Sequence, residues 1–504
     1  MAEAIKREYD IVVLKVQAGV GLGASAGSRE SLVRFTLQYH EQAALVDGPR
    51  WEFLLSQIVP LELDRGMTRG QGPQLALPAS MLEPLHDWFA AKTEGKRPLW
   101  VHLVKPYGLL RIVPWELLLG EALERPILML PDFIFPPPRE AMHVLDVALC
   151  GSAPLGYEGH SVWHALRQAA DRILAGAGNG RRVRLHVFAD RDIGESLSAA
   201  WKADGRLGAQ IVVHDTAQAA PYVADDVSSR LVDAAGTLRS PWLLWMCKVL
   251  AAQAVDVVHF VCHGHLTRER GALLFAQSPL ERSERYLAGP VGAAELGTFL
   301  TRVGAWSTVF SVLPDNHSAP GLRWLADEIA QSRPGPLMMH NLAVDTDGAA
   351  LAAGYAFLYG LEPQPAPQSR ALFIYCQPYL EANVVRFSGG LRSRGVATKD
   401  GTTAMPFARN ALQQRAAARS LEQSPLDRFF GAEHVSSLVA STERFAEQVQ
   451  LKFQQLARDD LLPAGGARAA EVDATFDTLA KLRAAVAGIE ARAPSPPPEP
   501  GDPA

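Results

Sequence analysis

Short apolar runs alternating with amphipathic helical patterns constrain this chain more than any other feature. Runs rich in Val, Ile, Leu and Phe recur near 99–104, 144–150, 183–189, 210–214, 255–262, 307–312, 337–342 and 371–376. Helical periodicity fills the intervals at about 159–176, 192–203, 221–236, 320–331 and 347–360. A short, continuous apolar run bounded by turn residues is the mark of a strand buried on both faces. Strands of that kind alternating with helices imply a mostly parallel sheet with helices on each side. The expected fold class is therefore α/β.

The flanks differ from this centre. In the N-terminal stretch, Tyr9–Val16 and Leu32–Tyr39 have strand character, the second through its alternation of Val33, Phe35, Leu37 and Tyr39. Arg50–Ile58 and Ser80–Ala91 are expected to be helices. Pro136-Pro137-Pro138 suggests a joint between a lead-in segment and the sheet proper, near 142. Beyond 380 the pattern turns helical. Val435, Leu438, Phe445, Val449, Phe453 and Leu456 fall on one face, as do Val472, Phe476, Leu479, Leu482, Val486 and Ile489. Pro463-Ala464-Gly465-Gly466 separates the two stripes, so a helical hairpin is expected there. The expected divisions are an α+β extension at 1–98, the sheet domain at 99–380, a helical module at 381–492 and a Pro-rich disordered tail at 493–504.

Composition excludes several function classes. A formal net charge of −5 gives no electrostatic footprint for nucleic acid. Four cysteines, Cys150, Cys247, Cys262 and Cys376, show neither metal nor disulfide spacing, which suits a reducing, cytoplasmic setting. No apolar stretch approaches the ~20 residues of a membrane span, and the first ten residues lack the apolar core of a secretory signal.

Chemistry concentrates where two of the apolar runs end. Asp256–His265 reads Asp-Val-Val-His-Phe-Val-Cys-His-Gly-His, and Ser307–Val312 breaks into Leu313-Pro314-Asp315-Asn316. In open α/β sheets reacting groups sit just past the carboxyl ends of strands. His263 stands where a general base would stand, and Leu313 stands where a nucleophile would. The strand His259–Cys262 followed by His263-Gly264 resembles the first motif of the CHAT family, caspase-like cysteine peptidases related to separases. Ser311-Val312-Leu313 aligns with that family's Ser-Ala-Cys. Val344-Asp345-Thr346-Asp347, then Phe357-Leu358-Tyr359-Gly360, resembles its third stretch, and Pro114-Trp115-Glu116-Leu117-Leu118 its upstream motif. The resemblance spans roughly 100–378 and implies a caspase-like α/β/α sandwich.

In that family His263 would be the base and the Gly264 amide an oxyanion donor. Leucine at 313 cannot attack a carbonyl, and Pro314 supplies no amide. Ser311 shares a strand face with position 313 but lies about 6–7 Å back, and Cys262 points to the opposite face from His263. His259 and His263, about 13 Å apart on a continuous strand, cannot share one metal ion. No cofactor or metal is implied. The patterns Gly23-Ala24-Ser25-Ala26-Gly27 and Gly19-x-Gly21 lack the helix that a nucleophile elbow or a dinucleotide fingerprint requires. The expected function is a peptidase-like binding or regulatory module without catalysis. The resemblance places it in a bacterial stress or defence assembly, with a protein partner held by 434–490 or by the groove at His263 and Leu313. The alternative is an active cysteine endopeptidase using His263 with a nucleophile from elsewhere in the chain or from another chain. The exposed stripes also leave self-association open.

Overall fold

A computed structural model describes residues 11–18, 32–41, 44–58, 77–92, 97–105, 108–131, 144–154, 159–178, 181–208, 210–223, 238–250, 255–266, 270–280, 287–315, 318–333, 335–360 and 364–377. The expected helical module, its partner-binding stripes at 434–490 and the Pro-rich tail lie outside these residues, as do the glycine patterns at 19–27.

The described chain is α/β. It runs through β1 (Val12–Ala18), β2 (Leu32–Glu41), β3 (Ala44–Leu54), α1 (Leu55–Ile58), α2 (Ala79–Lys92), β4 (Leu99–Val104), α3 (Trp115–Leu123) and β5 (Ile127–Met129). There follow β6 (Val144–Gly151), α4 (Gly159–Ala177), β7 (Arg182–Ala189), α5 (Arg191–Ala203), β8 (Ile211–Val213), α6 (Pro241–Leu250), β9 (Val257–Leu266), β10 (Gly271–Ala276) and β11 (Ala288–Gly292). The chain closes with α7 (Ala293–Arg302), β12 (Ser307–Val312), α8 (Ser318–Ser332), β13 (Leu337–Asn341), α9 (Ala349–Tyr359) and β14 (Leu372–Tyr375).

The strands lie in the order β3-β2-β1-β4-β5-β14-β13-β12-β9-β6-β7-β8, with β10 and β11 branching from the end of β9. From β13 through β12, β9, β6 and β7 to β8 every pairing is parallel. Every residue of β12, and β9 from Val257 to Gly264, is buried, as a helix-covered parallel sheet requires. One face carries Phe260, stacked on Phe310 of the next strand and tilted against Phe299 of α7. The other carries His259 and Ser311 and meets Tyr355 of α9. Helices α6, α7 and α8 contact in series on the first face, and α5, α4 and α9 on the second. This α/β/α layering is compatible with a caspase-like sandwich.

The sheet also runs without a break across residue 98, because β1 pairs in parallel with β4 from Val12 opposite Leu99 onward. One expectation fails here. Residues 50–58 are not a helix: β3 continues to Leu54, and only Leu55–Ile58 form a single helical turn. Trp51 faces Phe35 and Phe53 faces Val33 across the antiparallel ladder, while Arg34 pairs with Glu52 at 2.6 Å. Aromatic cross-strand pairs and that ion pair make the segment a strand. The helical pattern at 221–236 falls almost wholly outside the described residues, and its first two residues end a 3-10 helix, Thr216–Tyr222.

Helix α8 is fastened to the lead-in segment by buried charge. Arg323 makes a two-pronged contact with Glu116 of α3, and its guanidinium lies 4.4 Å from the Phe373 ring. Arg111 sits 4.2 Å over the Trp324 ring, and Tyr375 donates to Asp327 at 2.7 Å. The Pro114–Leu118 motif is therefore an anchor. Trp115 is fully buried and donates to the Leu110 carbonyl, and the next residue, Glu116, holds α8.

Candidate functional site

Strands β9 and β12 run in parallel register as far as Cys262 opposite Val312; β9 then continues to Leu266 beside β10, while the chain leaves β12. Past Val312 it turns at once: the Asp315 amide donates to the Leu313 carbonyl at 2.7 Å, and α8 begins at Ser318. Leu313 is buried at 2% exposure. The turn delivers Asp315 to His263. The His263 Nδ1–H donates to Asp315 Oδ2 at 2.6 Å, the Ser318 hydroxyl donates to the same oxygen at 2.5 Å, and the Ser318 amide donates to Oδ1 at 2.5 Å. Ser318 Oγ lies 3.3 Å from His263 Nδ1.

Asp315 therefore does two jobs. Its carboxylate caps the first turn of α8, where unpaired amides and the helix dipole favour negative charge. It also fixes the imidazole in the tautomer that carries its proton on Nδ1. This is how a general base is oriented in hydrolases. Yet the ring is only 6% exposed and the carboxylate 12%. Serine 318 cannot complete a triad, because it addresses the same nitrogen as the carboxylate.

Gly264 faces the other way, under α8. A Cβ there would collide with the Ser318 carbonyl and the Leu322 side chain, and one on Gly321 would strike the His265 backbone. Its residue type is accounted for by helix-on-strand packing alone. Gly264 is also paired with Leu273 of β10.

One step back along the strands lies a second cluster, fully enclosed. Ser311 Oγ sits between two imidazoles, 2.8 Å from His259 Nε2 and 3.0 Å from His340 Nδ1. His340 Nε2 lies 2.9 Å from Asp345 Oδ2, and His259 Nδ1 lies 3.0 Å from the Tyr355 hydroxyl. Asp345 also accepts from the amides of Ala350 and Leu351, at 3.2 and 2.9 Å. Burial, reinforced by the neighbouring His340, pushes His259 down to about 3, so it is neutral at ordinary pH. Burial alone would raise Asp345, but the hydrogen bonds from His340, Leu351 and Ala350 outweigh it and hold the carboxyl well below the usual range. Tyr355 is raised by burial.

The same construction thus appears twice. A strand ends, a carboxylate caps the following helix, and that carboxylate grips a histidine. Asp315 does this for α8 and His263, Asp345 for α9 and His340. Sequence reasoning gave neither aspartate a role, though each lies a few residues ahead of a helix, where a capping side chain belongs.

A scan of protein-family models, a search of curated proteins and a search of solved structures return no match to this chain. Cys150, Cys262 and Cys376 are buried, and burial pushes the Cys150 and Cys262 thiols up, away from the thiolate that attacks carbonyls. Cys247 lies half-buried on α6, within the apolar sequence Trp245-Met246-Cys247. Ser311 is enclosed between its histidines. His259 and His263 are four residues apart on one unbroken strand, and each engages a different acidic or hydroxyl partner. No helix among the described residues is long and apolar enough to cross a membrane.

Proposed function

We propose that this chain is a CHAT-like domain that no longer cleaves peptides and works as a binding or regulatory module for a protein partner. The observation that carries the reading is the combination at the sheet's carboxyl edge. The histidine that would be the base is clamped by Asp315 and nearly closed to solvent, and the position of the nucleophile is filled by buried Leu313. A base without a nucleophile in reach performs no acyl transfer. What remains is a buried corner beside the end of β12, formed by His263, Leu313 and the first turn of α8, in the place where α/β sheets receive their ligands. A bacterial stress or defence assembly is the setting that the resemblance suggests.

Incubating the protein with a diverse peptide library, with cleavage products read by mass spectrometry, tests the proposal. Wild type and His263→Ala should give the same products. Cleavages present in wild type and lost in the variant would establish the peptidase instead.

A further inference from the structure

A pair of histidines on a different element has the geometry of a metal chelate. His160 and His164 are one helical turn apart at the start of α4, and both are exposed. Side chains four residues apart lie on one face of a helix. Here the two Nε2 atoms are 2.8 Å apart, with the rings edge to face and their centroids separated by 4.2 Å. A late first-row divalent ion bonded to imidazole at about 2.0–2.1 Å holds two neighbouring nitrogens about 2.9–3.3 Å apart. As they stand, one Nε2–H donates to the other Nε2. An ion would replace that hydrogen bond once the donor ring carries its proton on Nδ1 instead and the two rings turn apart by a few tenths of an ångström, so that both Nε2 lone pairs face it. Two imidazoles at this spacing form half of the ligand set in helical zinc sites.

The pair lies at the start of α4, where the helix dipole disfavours a cation, so the affinity must come from the two imidazoles themselves. Arg167, one turn further on, lies 5.5 Å over the Trp163 ring and pairs with Asp204 at 3.1 Å, which offsets part of its charge. Trp163 lies beside the pair, parallel to His160 with centroids 6.3 Å apart and perpendicular to His164 at 4.7 Å. The first turn of α4 also follows β6, so the pair stands at the carboxyl edge of the sheet, the edge that also carries His263.

We propose that His160 and His164 form a two-imidazole site for a late first-row divalent metal ion, preferring Cu(II) over Zn(II), with water completing the coordination. The preference follows the general order of affinities for nitrogen ligands. This site is independent of the peptidase-like corner and needs no movement of it.

The test uses the untagged full-length protein titrated with Cu(II), Ni(II) and Zn(II), read by calorimetry, by tryptophan fluorescence and by melting temperature, with Cu(II) expected to bind more tightly than Zn(II). Wild type and His86→Ala, which removes an exposed histidine on α2, should bind alike. His160→Ala and His164→Ala should each bind about tenfold or more weakly, since one imidazole is left to hold the ion. Metal should raise the melting temperature of wild type and not of these two variants, because only the native helix presents both rings together. Without metal all four proteins should melt together. Wild type that fails to bind, or variants that bind within twofold of wild type, would overturn the proposal.

Discussion

Single residues decide what each histidine can do. Ser311 joins His259 to His340 in a closed space, and replacing it with Ala leaves both ring nitrogens without their partner. Such a loss costs about 1–3 kcal/mol, so Ser311→Ala should show a clear drop in denaturant midpoint at unchanged slope. Acid should act through the depressed histidines. His259 is held at about 3 by burial and by His340, and His214 at about 4 by burial and by its stacked neighbour His186, both below the ordinary 6.5. The unfolded chain therefore takes up these protons first as pH falls below 6.5. Stability is fully present above that value and is lost progressively toward pH 3–4. Melting curves from pH 7 to 4 should show this decline, and His214→Phe should flatten it. A His214→Phe protein as acid-sensitive as wild type would remove that histidine from the explanation. These environments were only partly legible in the sequence. The apolar run around His259 announced its burial. Its neighbours His340 and Tyr355 lie about 80 and 95 residues further on, and no local pattern joins them.

Elements were the most legible scale where a period runs long enough. Strands β6, β7, β9, β12, β13 and β14 and helices α4, α5, α8 and α9 lie within a few residues of where periodicity puts them. Elements without a period escaped it. Helix α6 is apolar nearly all round and buried, β5 has three residues, and β3 takes its state from aromatic partners on β2. The key element for the site is α8, whose first turn holds Asp315 and whose second rests on Gly264. Its anchorage gives a sharp expectation. Glu116→Ala strands the Arg323 guanidinium, 11% exposed, without its carboxylate and should cost about 3–5 kcal/mol. Replacing both partners together with Leu and Met should recover most of that loss. Chemical denaturation of wild type and the two variants measures both effects. Gly321→Ala should likewise destabilise, because the methyl has no space against the His265 backbone.

At the scale of the whole molecule, the sheet ties the N-terminal strands to the centre. Removing residues 1–58 would uncover the β4 partners of Val12, Leu14 and Val16, strip Phe35 from Trp115, and open a parallel edge. The remainder should aggregate on size-exclusion chromatography, and a monomeric, cooperatively melting remainder would show that the sheet can be divided there. Val258→Asp or Phe310→Asp should abolish folding, since each puts an unpaired charge at a site with no exposure. His263→Ala should be far milder, its cost confined to the cap at α8. On the proposed reading this corner holds the histidine of a base and no nucleophile. The most direct measurement is mass-spectrometric mapping of adducts after exposure to cysteine-directed active-site probes, in wild type and in His263→Ala. The expected result is the same low labelling at every cysteine in both proteins. An adduct on one cysteine that forms in wild type and vanishes in His263→Ala would contradict the account.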